Sequence, residues 1–379
     1  MRTMIPTHTL SRFIHAKSRQ CPDSTGELSE LLMSISLGVK LISQMVGTAG
    51  IKGLHGYTGR TNVHGDNIQL LDEEADEVLV ELLGSSGHFG LLVSEERDSV
   101  VSTEARLNEG KYVLAFDPLD GSSNIGSSIP TGTIFCIFRR KDLSRPATHE
   151  DFCQPGTDIV AAGYSVYGAK TSFVYSTGNG VHSFTLDPSI GEFVLTDEEI
   201  IVPSKGNIFS INEGNYCWWD AGVKRFVQEI KDSNVDADKA YSGRYVGSLV
   251  ADFDRTLRKG GIFMYPVDTK RPKGRLRLLY ECMPLAFIME QAGGRAIDGP
   301  RRVLDVTPRD IHDRSAFIAG GSHEVEWYER VVHPDSAIKG RSAVAVPVDV
   351  EVEIPGRRPR RTKRVFESQR ESTSSKEVR

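Results

Sequence analysis

Apolar residues recur at helical spacing after the capping-box sequence Ser24-Thr25-Gly26-Glu27: Leu28, Leu31, Leu32, Ile35, Val39, Ile42 and Val46 share one face. This pattern predicts a long amphipathic helix. A second helix is expected from near Asp72, where Asp72-Glu73-Glu74 precedes Val78, Leu79, Leu82 and Leu83 and the acids meet the positive end of the helix dipole. The period then changes. "LLVSEE" (91–96) and "YVLAF" (112–116) are short and densely apolar, as strands covered on both faces are. "TGTIFCIF" (131–138) and "DIVAAGYSVY" (158–167) continue the strand-rich stretch, and "LDPSIGEFVL" (186–195) reads as a hairpin turning at Asp-Pro. After "SGRYVG", helical spacing returns with Val246, Leu249, Val250, Phe253 and Leu257. "GRLRLLYE" (274–281) alternates like a strand, and "MPLAFIMEQAGG" (283–294) reads as a helix with Pro284 in its first turn and Gly293 or Gly294 past its end.

Strands and helices alternate in both halves, so the expected class is α/β or α+β in two parts, with a break near residue 200. A length of 379 residues leaves room for two domains at roughly 150 residues each. The expected boundaries are 1–200 and 201–335, followed by an extension over 336–379. In that extension "VAVPVDVEVEIPG" alternates like an added edge strand. The rest is poor in apolar residues, carries a basic cluster at 357–364, and has the composition of a disordered tail.

A net charge of −5 gives no global pull toward nucleic acid or an anionic membrane. The cysteines, Cys21, Cys136, Cys153, Cys217 and Cys282, are scattered and odd in number, which suits a reducing compartment and argues against zinc-thiolate chemistry. The first residues lack the apolar run of a signal peptide, and no uncharged apolar window of about 18 residues predicts a membrane span. A cytoplasmic protein is expected.

The chemistry gathers where apolar runs end in acids. Asp117 and Asp120 follow "YVLAF", Glu95 and Glu96 follow "LLVS", and Glu281 closes "GRLRLLYE". Ligand sites in open α/β sheets form at the carboxyl ends of strands. If these ends are neighbours, four or five carboxylates converge, and such a cluster needs a cation to be neutral. Hard oxygen ligands suit Mg²⁺ or Mn²⁺. Gly121-Ser122-Ser123 adds backbone N–H groups able to form an anion-binding nest. Taken singly, each feature has a plainer reading: Asp-Pro-Leu-Asp-Gly is a good turn, Glu95-Glu96 a solvated loop, Asp72 a helix cap and Asp66 a loop acid. Their joint occurrence favours a metal-assisted phosphoryl-transfer site.

"HGDNIQLLD", "LLVSEE", "KYVLAFDPLDGSSNI", "GTIFCIF", "INEGN", "GRYVGSLVADFDRTL", "GGIFMYP" and "GRLRLLYECMPLAFIMEQAGG" resemble class I fructose-1,6-bisphosphatase, in the family's order, over about residues 10–334. A lone DPxDG would indicate only the wider lithium-sensitive, magnesium-dependent sugar and inositol phosphatase superfamily. The resemblance implies a layered α-β-α-β-α sandwich, a homotetramer, and hydrolysis of the 1-phosphate of fructose 1,6-bisphosphate in gluconeogenesis or the Calvin cycle. It implies that Glu95, Asp117, Asp120 and Glu281, with Asp66 and the Leu119 carbonyl, hold two or three Mg²⁺, for which Mn²⁺ may substitute. Glu96 and Asp72 would activate the attacking water. Gly121, Ser122 and Ser123, with Arg277, would hold the 1-phosphate. Asn212, Tyr245, Tyr265, Lys270 and Arg275 would hold the rest of the substrate, with Arg244 supplied by a neighbouring subunit. An AMP effector site is implied at Thr25, Gly26, Glu27, Leu28, Lys111, Tyr112 and Arg139; a plain helix cap is the competing reading of its first residues.

The chain departs from the family's usual pattern at several positions. Arg275 stands where many members have lysine, Gly126 where an aspartate is common, and Asn215 where a tyrosine is frequent, with Tyr216 beside it as a substitute. The segment "AKSRQCPD" before the effector residues also differs. The competing functions are a sedoheptulose 1,7-bisphosphatase and a non-catalytic protein whose basic tail binds an acidic partner.

Overall fold

The computed structural model describes residues 8–19, 26–54, 56–61, 67–102, 110–234, 240–334, 347–350 and 363–366. Leu10–Ser18 forms α1 and Glu27–Lys52 forms α2. The helical spacing of α2 takes Leu31, Leu32, Ile35, Val39 and Ile42 into the core. Its start differs from expectation. Gly26, at φ 85°, is the N-cap, and among the described residues no side chain caps the first turn; Ser24 and Thr25 lie outside them. By length and composition α2 is apolar enough to cross a membrane, although Lys40 interrupts it; here its apolar face packs into a core shared with α3. A short hairpin of β1 (Tyr57–Thr61) and β2 (Asn67–Gln69) leads into α3 (Leu70–Gly84).

The first sheet is built from β3 (Phe89–Ser94), β4 (Val101–Ser102), β5 (Tyr112–Asp120), β6 (Thr131–Arg139), β7 (Ile159–Tyr167), β8 (Thr171–Ser176), β9 (His182–Asp187) and β10 (Glu192–Asp197). Its eight strands run in the order β10-β9-β8-β7-β6-β5-β3-β4. Only β3 and β5 pair in parallel; the other neighbours are antiparallel. The dense apolar runs are explained by burial on both faces. Leu92, Leu114, Phe116, Phe135 and Ile137 meet α1, α2 and α3 on one side. Leu91, Val93, Val113, Ala115, Ile134 and Cys136 meet a second helix layer on the other.

That second layer comes from the C-terminal half. In chain order this half holds β11 (Ile208–Ser210), α4 (Ala221–Asp232), β12 (Ser242–Gly243), α5 (Leu249–Lys259), β13 (Ile262–Tyr265), β14 (Leu276–Arg277), α6 (Met283–Gln291), β15 (Arg295–Ile297), β16 (Arg314–Ser315), β17 (Phe317–Gly320) and α7 (Ser322–Val332). Five of its strands form a sheet in the order β12-β11-β13-β17-β15. Helices α5 and α6 lie between the two sheets, burying Val250, Phe253, Leu257, Leu285 and Met289 in one core with both. Helices α4 and α7 cover the far face through Val223, Phe226, Ile230, Val325 and Tyr328. The layers are therefore α-β-α-β-α, and residues up to His333 cluster as one unit.

Three expectations need correction. The helix expected from Val246 begins at Leu249 with Ser248 as N-cap, because Val246 and Gly247 are tied by their N–H groups to the Asp252 side chain instead of to a helical turn. The strand expected over 274–281 is confined to Leu276–Arg277; a π-helical turn over Leu278–Cys282 follows, where every side chain is buried and alternation ceases to report pairing. In the unit beginning at Pro334, β18 (Pro347–Val350) pairs with β19 (Lys363–Phe366) in a two-stranded antiparallel ladder, so Lys363 and Arg364 of the tail are in a strand.

Candidate active site

Parallel pairing of β3 and β5 puts their carboxyl ends side by side, with Ser94 opposite Phe116. Glu95 follows β3 at once and its N–H donates to the Phe116 carbonyl at 3.2 Å. Asp117 lies inside β5 opposite Ile134, and an irregularity in the ladder lets β5 run on to Asp120. The two aspartates are thus part of the strand, past the point where the apolar run stops. Asp117 accepts the Leu119 N–H at 3.0 Å, and Thr133 Oγ1 donates to the Pro118 carbonyl at 2.8 Å, which hold the bent segment in shape. Glu281 reaches the same place from the π-helical turn, where it accepts the Arg277 N–H.

Carboxylate oxygens of Asp117, Asp120 and Glu281 all lie within 4.8 Å of one another. Asp117 and Glu281 are buried, and Asp120 retains some exposure at the strand end while its carboxylate is enclosed. Burial, then the charges of Glu95, Asp120 and Glu281, push Asp117 well above the usual carboxylate range. Burial and Glu95 do the same to Glu281, against the lowering pull of Arg277. Asp120 is pushed up to about 7 by burial, against the Val250 N–H that donates to it at 2.9 Å. Glu95 raises all three, so its charge lies with the cluster. Enclosed carboxylates this close must hold protons or share a cation. An all-oxygen donor set fits a hard divalent ion.

Asp72 stands in the first turn of α3, buried, accepting the Gln69 N–H at 3.2 Å through Oδ2. Burial pushes it up to about 7, opposed by the Ser122 hydroxyl and helped by Glu95. That places Asp72 between the acid cluster and the Ser122–Ser127 3-10 turn. Glu96 follows Glu95 in the tight turn after β3, its N–H on Ser94 Oγ. Gly121 has φ 76°, and a Cβ there would meet Ser248 at 3.3 Å; the left-handed turn into Ser122 and Ser123 needs glycine. A Cβ at Gly126 would meet none of the described residues within 4 Å. Asp66 and Thr25 lie outside the described residues.

A second region adjoins the first through Asp120, whose partner Val250 is in the first turn of α5. The loop before α5 carries Arg244 and Tyr245. Buried Asp252 accepts from the N–H groups of Val246 and Gly247 and from Ser210 Oγ, and Asn124 donates to the Gly247 carbonyl at 3.0 Å. The Tyr245 and Tyr265 hydroxyls are 2.6 Å apart. The Arg275 guanidinium lies 5.9 Å from the centre of the Tyr265 ring and lowers the pKa of Asp120, linking the two regions. A pocket is lined here by Asn212, Asn215, Tyr265, Arg271 and Arg275, among others. Arg277 is buried and donates to the Arg275 carbonyl. Lys270 lies over the Trp218 ring at 4.7 Å, and Arg244 is exposed with its N–H on Phe209. Asp252 and Arg271 were not singled out from sequence, where one reads as a helix-face acid and the other as a loop charge.

Across the first sheet, Lys111 Nζ binds Glu27 Oε1 at 2.7 Å and Tyr112 pairs with Arg139. Gly26, Glu27 and Leu28 start α2 beside them. The expected effector residues that are described therefore assemble.

Residues 8–198 match the family model for the N-terminal domain of fructose-1-6-bisphosphatase, and residues 202–333 match that for its C-terminal domain. The chain belongs to the fructose-1,6-bisphosphatase family. The solved holo structure of Leishmania major fructose-1,6-bisphosphatase is 39% identical, with a TM-score of 0.81, and the match covers 86% of this chain and 99% of that one. The family assignment makes this chain an enzyme that hydrolyses fructose 1,6-bisphosphate, with sedoheptulose bisphosphate not favoured as substrate. It also implies dependence on a divalent metal, and a buried acidic cluster is present.

Proposed function

We propose that Asp117, Asp120, Glu281 and Glu95, with the Leu119 carbonyl, hold Mg²⁺, with Mn²⁺ able to replace it. The observation carrying this reading is the enclosed triad of carboxylates within 4.8 Å, all driven toward protonation by burial and mutual repulsion. When bound, the metal neutralises phosphate charge and acidifies water. Asp72, with its carboxyl near 7, is poised to take a proton from water at neutral pH, and Glu96 assists it. Gly121, Ser122, Ser123 and Arg277 orient the 1-phosphate for in-line attack. Asn212, Tyr245, Tyr265, Lys270 and Arg275 bind the sugar and its distal phosphate, supported by the pocket and the paired phenols. Asp66 is a further metal ligand in this reading. The sites divide near residue 200, the metal acids mostly before it and the sugar pocket after it.

Three further elements of the reading follow the family resemblance: a homotetramer in which Arg244 serves the neighbouring subunit's site, AMP inhibition, and a cytoplasmic location. The Lys111–Glu27 ion pair and the Tyr112–Arg139 pair support the effector site. The central test is phosphate release from fructose 1,6-bisphosphate by an Asp117→Asn variant. Activity should vanish while the fold persists; wild-type turnover by the variant would refute the metal assignment. A flat activity curve against AMP would remove the effector reading, and a monomer by sedimentation would remove the shared arginine.

A further inference from the structure

We propose that Arg271 is a phosphate-binding residue of this chain, clamping with Arg275 the phosphate that is not cleaved. Arg271 and Arg275 both line the pocket that Asn212 and Tyr265 also line. This inference rests on the reading that the pocket takes the distal phosphate. Asn215 lines it too. Tyr216 is not among the lining residues: it is 53% exposed, and its ring lies 5.2 Å from Lys224 Nζ and T-shaped to Trp219. The residues this segment gives to the pocket, Asn212, Asn215 and Trp219, thus include no phenol, and Arg271 and Arg275 give it two cations.

The backbone of Arg271 is fixed. Its N–H donates to Asp268 Oδ1 at 2.7 Å, and its carbonyl accepts from Gly274 at 3.0 Å. The same Asp268 oxygen accepts the Lys270 N–H at 2.8 Å, so this carboxylate is engaged with the turn. The Arg271 guanidinium makes no hydrogen bond or ion pair among the described residues. A half-buried arginine whose guanidinium has no anion among the described residues, lining the same pocket as a second arginine, is chemically matched to a phosphate dianion. Its donors form a planar fork able to take two phosphate oxygens.

The experiment compares kcat/KM for fructose 1,6-bisphosphate and for fructose 1-phosphate, which lacks the distal phosphate, in wild type, Arg271→Ala and Arg271→Lys. Thermal melts check the fold, and Arg271→Gln replaces the alanine variant if that one fails to fold. Loss of a charge-assisted contact predicts that the preference for the bisphosphate falls about tenfold to a hundredfold in Arg271→Ala, mainly through KM, and that lysine restores part of it. An unchanged preference, or equal losses on both substrates, overturns the proposal and leaves the pocket reading intact when Tyr265→Phe still lowers the preference. If the wild type itself shows no preference for the bisphosphate, the pocket reading fails and this inference with it.

Discussion

Replacing Asp120 by Asn separates what the acid cluster costs the fold from what it supplies to the chemistry. The amide is nearly isosteric, and its oxygen still accepts the Val250 N–H, so the start of α5 keeps its contact. In the metal-free protein the Asp120 carboxyl is pushed from its ordinary 3.8 up to about 7, first by burial and then, after the opposing Val250 bond, by Glu95. The folded state therefore holds this proton more tightly than the unfolded chain. Its contribution is fully present below pH 3.8 and is lost as pH rises through about 7. At pH 8 the ionised carboxyl costs the folded state at most about 4 kcal/mol. Neighbouring carboxylates share that repulsion, so the amide should recover roughly half, about 2 kcal/mol. Urea unfolding at pH 8 with a chelator should find Asp120→Asn more stable than wild type, and the gap should close by pH 4. Divalent metal should reverse the order, since an ion at about 100 times its Kd adds about 2.7 kcal/mol to the protein that binds it. If the variant is the less stable of the two at pH 8 in chelator, the repulsion argument is wrong.

The remaining predictions concern the same two regions. Chelation should abolish phosphate release and added Mg²⁺ or Mn²⁺ should restore it; activity that survives exhaustive chelation contradicts the metal site. Gly126→Asp should leave kcat and KM within about twofold, because a Cβ there meets none of the described residues within 4 Å; a larger change by steady-state assay would give that position a role this structure does not show. Asp252→Ala should cost about 3 kcal/mol or more in denaturant unfolding, since it leaves Ser210 Oγ and two backbone N–H groups without their acceptor, and should raise KM by loosening the Tyr245 loop. Tyr265→Phe should raise KM for the bisphosphate several-fold by removing the hydroxyl that meets Tyr245, and a KM equal to wild type would exclude that pair from binding.

Much of the site was legible because its chemistry follows apolar strands. The runs "LLVS" and "YVLAF" read as strands with acids straight after them; β3 ends just before Glu95, while β5 runs on through Asp117 to end at Asp120. What alternation could not reveal is where Glu281 stands. "GRLRLLYE" alternates, yet only Leu276 and Arg277 pair, because full burial on all sides removes the face distinction that makes a period-two pattern informative. The start of α5 was misread for a related reason: Val246 has the right spacing, but a side chain six residues on, Asp252, competes for its N–H.

The sequence alone determined the types of most elements, the class, and the acids that could bind a metal, since periodicity and residue chemistry are local properties. Only the tertiary structure decided that Asp117, Asp120 and Glu281 share one enclosed space, because that depends on parallel pairing of β3 with β5 and on a π-helical turn over a hundred residues away. Their raised pKa values follow from that enclosure and not from their identity. Tertiary structure likewise moved Arg271 from an ordinary loop charge to the wall of a pocket and left Tyr216 outside it. Both outcomes turn on which loops the second sheet brings together, and a linear pattern carries no record of that.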